Sequence, residues 1–186
     1  MLLFVGLGNP TPNSQNNRHN IGFKIVDAIN QKFGLSKQKP KFKGLLTTGD
    51  IKENKIYVIK PLTFMNNSGI CIRELLEYFK IDSEDVIVFH DDLDVEFGKI
   101  KAKFGGSNAG HNGIASIDKF IGKDYSRVRI GIGKPKDNIS AADYVLNDFS
   151  EEEKENLEKI TNNIIDSISI LIDKKLDLFS SSVNNN

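Results

Sequence analysis

Leu2-Leu3-Phe4-Val5-Gly6-Leu7, closed by Gly8-Asn9-Pro10, is the stretch on which the fold turns. The run is apolar, too short for a helix and stopped by three turn-forming residues, which predicts a buried strand. After a polar loop to Arg18, Ile21, Ile25, Ile29 and Phe33 recur at helical spacing from about Asn20, and Gly34 ends the helix. Leu45 to Ile51 and Lys55 to Ile59 predict a hairpin around Glu53-Asn54. Beyond Pro61 a second helix carries Ile72, Leu75, Leu76 and Phe79. Val86 to Phe89 is a further buried strand, and Lys99 to Phe104 alternates strictly. A glycine-rich loop, Gly105 to Gly113, leads into a helix with Ile114, Ile117 and Phe120, and Val128 to Ile132 is another strand. Ser150-Glu151-Glu152-Glu153 is a capping box opening a last long helix with Leu157, Ile160, Ile164, Ile168 and Leu171 on one stripe. Strands alternating with helices imply an α/β fold: a single-domain, three-layer sandwich with a twisted, mixed but largely parallel sheet flanked by helices. That domain spans residues 1–179, and the polar residues 180–186 read as a frayed tail.

Composition narrows the class. At 186 residues, 39% hydrophobic and 27% charged, the chain is that of an ordinary globular domain. The single cysteine, Cys71, cannot form an internal disulfide, which suits a reducing compartment. There is neither a basic leader nor an apolar run of membrane-spanning length, so a cytoplasmic, membrane-free protein is expected. Net charge is zero, yet the residues before Ser150 hold 21 basic against 17 acidic side chains. This is a weak hint of an anionic partner.

The three histidines share a setting: His19-Asn20, His90-Asp91-Asp92 and His111-Asn112 each fall where an apolar segment meets a polar loop. In open α/β sheets ligands gather at the carboxyl ends of strands. Asn9 lies past the first strand, His90-Asp91 past a second and the Gly105 loop past a third, so parallel strands would bring three polar clusters to one edge. His19 stands near a helix start, which disfavours a cation and suits a general base. Strand alternation lets only one of His90 and Asp91 face the cleft, and a carboxylate facing His19 would orient it. Asp92 reads as part of a solvated turn.

Familiar motifs fail. Gly6-x-Gly8 lacks the third glycine of a dinucleotide fingerprint, because Thr11 stands there. The Gly105 loop lacks the Gly-Lys-Ser/Thr of a P-loop, and Gly105-Gly106-Ser107-Asn108-Ala109 only imitates a nucleophile elbow. No His-Glu-x-x-His occurs and a His-Asp-Asp string is common in ordinary turns, so a metal site is weakly supported. Lys99, Lys101 and Lys103 share one strand face, as do Arg127 and Arg129. Two basic faces beside a glycine-rich loop could clamp phosphate.

Five ordered blocks carry a resemblance: Gly6-Leu7-Gly8-Asn9-Pro10 with Arg18-His19-Asn20-x-Gly22; Pro61-x-Thr63-Phe64-Met65-Asn66-x-Ser68-Gly69; His90-Asp91-Asp92-Leu93-Asp94; Gly110-His111-Asn112-Gly113; and Arg127-x-Arg129-Ile130-Gly131-Ile132-Gly133. Together they resemble the bacterial-type peptidyl-tRNA hydrolases from about Leu2 to Leu178. The resemblance implies cleavage of the ester joining a peptide to the 3′-terminal ribose of tRNA. His19 would be the general base activating water, oriented by Asp91, with Asn9 completing the catalytic set. Asn9, Asn66 and Asn112 would hydrogen-bond the peptide backbone and terminal adenosine, with Met65, His111, Phe64 and Ser14 lining the cleft. Lys103 and Arg129 would hold a tRNA phosphate, and no metal or organic cofactor is implied. Peptidyl-tRNA, through its acceptor stem and 3′ end, is the expected partner of a monomeric enzyme.

The chain departs from the family pattern at Thr11 (usually Gly), Ser14 (Tyr), Asn17 (Thr) and Ala109 (Gly), which implies altered affinity with activity retained. A non-catalytic RNA-binding relative, like an organellar intron-splicing factor, is the main rival, and a serine esterase using Ser107 is the third reading.

Overall fold

The apolar run forms strand β1 (Leu2–Gly6), and the chain continues through α1 (Ile21–Lys32), β2 (Lys39–Lys41), β3 (Gly44–Ile51), β4 (Asn54–Pro61), α2 (Ser68–Phe79), β5 (Val86–Asp92) and β6 (Ile100–Phe104). It ends with α3 (Asn112–Ile121), β7 (Ser126–Gly131), α4 (Ala141–Leu146), α5 (Glu151–Asp166), α6 (Ile168–Ile172) and α7 (Leu176–Asn184). The computed structural model describes every residue from Met1 to Asn186. Seven strands form one sheet in the order β2-β3-β4-β1-β5-β7-β6. The central four are parallel, while β2, β3 and β6 run antiparallel to their neighbours.

Alternation along β1 divides the core. Leu2 and Phe4 pack with Ile21, Ile25 and Ile29 of α1 and with the helices after Ser150. Leu3, Val5 and Leu7 pack with Ile72 and Leu75 of α2 and Ile114 and Ile117 of α3. A sheet apolar on both faces must be covered twice, which produces the expected three-layer sandwich. No helix is long and apolar enough to cross a membrane.

Several expectations need correction. The tail is not frayed: α7 runs to Asn184, with Phe179 and Val183 buried. Its polar residues pair with the open edge of β6. Ser180 Oγ accepts the Ala102 amide at 2.8 Å, and the Asn184 side chain accepts from Ile100 N at 2.9 Å and donates to Ile100 O at 2.8 Å. An edge strand exposes such groups and needs a cover. The long C-terminal helix breaks at Ser167 into α5 and α6. The hairpin turns one residue earlier than expected, at Lys52-Glu53, both with positive φ. Finally, β6 runs against β7, so Gly105 lies at the amino edge of the parallel strands, its N–H donating to Tyr125 O at 2.9 Å. The loop must climb the height of the sheet to deliver His111 and Asn112 to the carboxyl edge.

Candidate active site

Arg18, His19 and Asn20 form one 3-10 turn before α1, and each fixes a different wall. Arg18 reaches the far helices. It donates to the carbonyls of Tyr144 and Asn147 at 3.3 Å, pairs with Glu153 at 3.1 Å and lies 4.1 Å over the Tyr144 ring. Asn20 clamps the end of β1, because Asn9 N donates to its Oδ1 and its Nδ2 donates to Asn9 O, both at 2.9 Å. His19 turns to β5, with Nδ1 3.0 Å from each carboxylate oxygen of Asp91. The turn can sit this close because the second residue of α1 is glycine: a Cβ at Gly22 would overlap the Phe89 carbonyl and the Leu7 backbone.

The His19–Asp91 pair is buried, at 8% and 1% exposure. Burial alone would raise the Asp91 pKa. Attraction to His111, then to His19, and their hydrogen bonds hold it far below the carboxylate range instead. The carboxylate is thus ionised and only accepts. His111 joins from the other side, its Nε2 2.9 Å from Asp91 Oδ1. His90 makes no hydrogen bond to His19, and its ring packs edge-on 5.0 Å from that of His111. Its Nδ1 donates to Asp91 O at 2.7 Å, and burial, reinforced by His111, pushes its pKa down to about 3. It is a neutral packing residue.

Asp92 is not a free turn carboxylate. It receives Arg129 Nε at 2.7 Å and the Asp94 amide at 2.8 Å, and these bonds lower its pKa against the opposing effect of burial. The basic faces also differ from expectation. Lys101 pairs in register with Arg129, and Lys103 with Arg127. Arg127 is buried and donates to the carbonyls of Ser107 and Gly105, so it holds the climbing loop. Lys103 carries no ion pair, and its pKa is lowered by burial and then by Arg127 and Arg129. Lys103 is therefore an unneutralised cation, and Arg129 beside it shares its charge with Asp92, a setting that suits an anionic ligand.

Between these walls lies a cleft of two lobes. One, of about 360 Å³, is bounded by His19, Asp91, the Asn108–Asn112 loop and α4. The other, of about 370 Å³, is bounded by Asn9, Thr11, Ser14, Phe64, Met65, Asn66 and Leu146. His19 and Asn112 border both lobes. Asn9 Oδ1 accepts Met65 N at 2.9 Å, which leaves its amide N–H groups as the free end. Phe64, before Met65, is 54% exposed and held at φ 62°, a costly conformation for a bulky residue. The side chains of Asn66 and Asn112 make no bond within the protein and are exposed to the second lobe. The departures meet here: Thr11 Oγ1 and Ser14 Oγ share a hydrogen bond of 2.5 Å.

The structure therefore brings His19, Asp91, Asn9, Asn66, Asn112, Met65, His111, Phe64 and Ser14 to one cleft. It leaves Lys103 and Arg129 beside it on β6 and β7. Ser107 accepts only the Ala109 amide and has no histidine partner, so the esterase reading fails. Sequence reasoning missed the α4 wall of Ala141, Ala142, Val145 and Leu146. The signal was weak: six residues between two polar stretches. It also missed that His19, Asp91 and His111 offer donor atoms within 4.8 Å of one another, a metal-like spacing.

Comparison with known proteins identifies the family. The sequence profile of the peptidyl-tRNA hydrolase family matches residues 3–186. A peptidyl-tRNA hydrolase of Pelagibacter ubique is 80% identical over 185 residues, covering 100% of both chains. One from a Wolbachia of Drosophila simulans is 49% identical over 88% of this chain and 91% of its own. The crystal structure of the Acinetobacter baumannii peptidyl-tRNA hydrolase superposes with a TM-score of 0.92 at 31% identity, covering 99% of this chain and 94% of the other. With motif order, sheet topology and cleft all in accord, the chain belongs to the peptidyl-tRNA hydrolase family.

Proposed function

We propose that this chain hydrolyses the ester between a peptide and the 3′-terminal ribose of tRNA, with His19 as general base and Asp91 as its orienting partner. The observation that carries the reading is the buried 3.0 Å contact between His19 Nδ1 and the Asp91 carboxylate. Since an ionised carboxylate only accepts, Nδ1 holds the proton and Nε2 presents its lone pair to the cleft. Nε2 takes a proton from water as the oxygen attacks the ester carbonyl, and Asp91 stabilises the imidazolium. The collapsing tetrahedral intermediate expels the ribose oxygen, which takes the proton from Nε2. A general base contributes roughly 10²–10⁴-fold, and donors at the developing oxyanion add a comparable share. Asn9 fits the donor role because its oxygen is already engaged by Met65. Asn66 and Asn112, with free amides, suit the peptide backbone and terminal adenosine. Lys103 and Arg129 suit a phosphate of the acceptor stem. A cleft complete within one chain supports a monomer, and a peptidyl-tRNA substrate supports a cytoplasmic location.

The test is peptidyl-tRNA hydrolysis by wild type, His19→Ala and Ser107→Ala. Loss confined to His19→Ala is expected. Near-wild-type turnover in that variant would overturn the reading.

A further inference from the structure

His111 is more than a wall of the cleft. It is the N-cap of α3, and its Nδ1 lies 3.1 Å from Gly113 N and 3.2 Å from Ile114 N. Both backbone groups donate, so Nδ1 must present a lone pair. A neutral imidazole has one proton, which is then on Nε2, 2.9 Å from Asp91 Oδ1. We propose that His111 is a positioning residue, locked by α3 as the Nε2–H tautomer, which pins the Asp91 carboxylate against His19 and shares its charge.

This rests on the reading of His19 as base and adds to it. Asp91 stands near the end of β5 with an N–H donor from each helical layer: His19 ahead of α1 and His111 at the start of α3. Two donors leave the carboxylate one orientation, which sets the ring of His19. The same lock decides what the three-residue cluster can hold. A cation on His111 Nε2 would force the ring proton to Nδ1, against the two N–H groups of α3. The cap therefore opposes the metal that the spacing invites.

The charged and titratable groups facing the array are few. His90, its ring 5.0 Å from that of His111, and Asp92 come from β5, Asp94 follows them in the lining with Lys134 beside it, and Arg129 of β7 neutralises Asp92. The α4 wall adds only Ala141, Ala142 and Val145.

Two substitutions separate the ends of the ring. Asn matches the position of Nδ1 and can cap α3 but cannot reach Asp91, whereas Gln places an amide N–H near Nε2 and forgoes the cap. His111→Asn should retain thermal stability and KM while kcat falls about ten- to hundredfold, the equivalent of one hydrogen bond to a charged group. The acid limb of its kcat/KM profile should move to higher pH, because an undivided Asp91 charge stabilises the His19 imidazolium. His111→Gln should melt earlier yet recover most of kcat. In the intact wild-type protein, ¹⁵N NMR of labelled histidine should show His111 protonated on Nε2. An Nδ1–H signal there, or a His111→Asn variant changed in KM alone with an unmoved pH profile, would overturn the proposal. If His19→Ala keeps its activity, the base assignment falls instead, whatever the tautomer of His111.

Discussion

His90 and Asp91 are neighbours whose burial has opposite outcomes, and this difference is measurable. An unfolded chain protonates His90 near its ordinary 6.5, whereas the folded chain does so only near 3. Between those values the unfolded state binds more protons. Stability should therefore rise with pH across this window and be lost on acidification, by up to about 1.4 kcal/mol per pH unit. Asp91, depressed in the fold, adds a loss of the same sign as pH falls below its unfolded value of 3.8. Urea midpoints from pH 7 to pH 4 should show the slope, and His90→Asn should flatten it above pH 4. The sequence departures also act at this scale. Ala109 sits at φ 47°, where a Cβ costs roughly 1–2 kcal/mol, so Ala109→Gly should stabilise this conformation of the climbing loop, read as slower amide exchange from Ser107 to Gly110. Roles at this scale were legible where residue type and neighbours constrain each other, as for His19 with Asp91. They were hidden where no local pattern points to the partner: nothing adjacent to Asp92 announces Arg129.

The elements positioning the catalytic turn work through close backbone approach. Gly6 faces Gly22, and a Cβ on either would enter the other segment. Gly22→Ala should push α1 off β1 and β5, costing about 1–3 kcal/mol. Because His19 moves with α1, kcat should fall even where the variant remains folded, as checked by circular dichroism beside the hydrolysis assay. On the far side, Arg18 holds the carboxyl end of α4. Arg18→Met should loosen that wall and raise KM more than it lowers kcat. Periodicity revealed α1, α2, α3 and α5 and the buried strands, because one-sided or complete burial imposes a spacing. It could not reveal β2, where Lys39, Pro40 and Lys41 are all exposed, nor α4, which is one and a half turns long with no buried residue. Strand direction was equally silent: β6 has the alternation expected of either orientation, and only its pairing with β7 places Gly105 at the opposite edge from His111.

At the scale of the whole molecule, the site is a seam between two helical layers that meet above the sheet, so its integrity depends on both. The second layer extends to the end of the chain: deleting residues 176–186 would remove Phe179 and Val183 from the core and uncover β6. Two such side chains are worth about 3–6 kcal/mol, so the melting temperature should drop by roughly 10 °C or more, and a truncated protein that melts with the wild type would refute that role for α7. Charge acts over the same range. Replacing Lys103 or Arg129 by Ala should weaken tRNA binding and flatten its log–log salt dependence by about one per lost phosphate contact, while sparing a minimal ester. One further property follows from Cys71. It is the sole thiol, wholly enclosed in α2, and burial pushes its pKa up to about 12. Reagents that attack thiolates can reach it only when α2 lifts from the sheet. Its labelling rate is thus a built-in clock for opening of the α2–α3 layer, readable in an unmodified chain and independent of whether the enzyme is turning over.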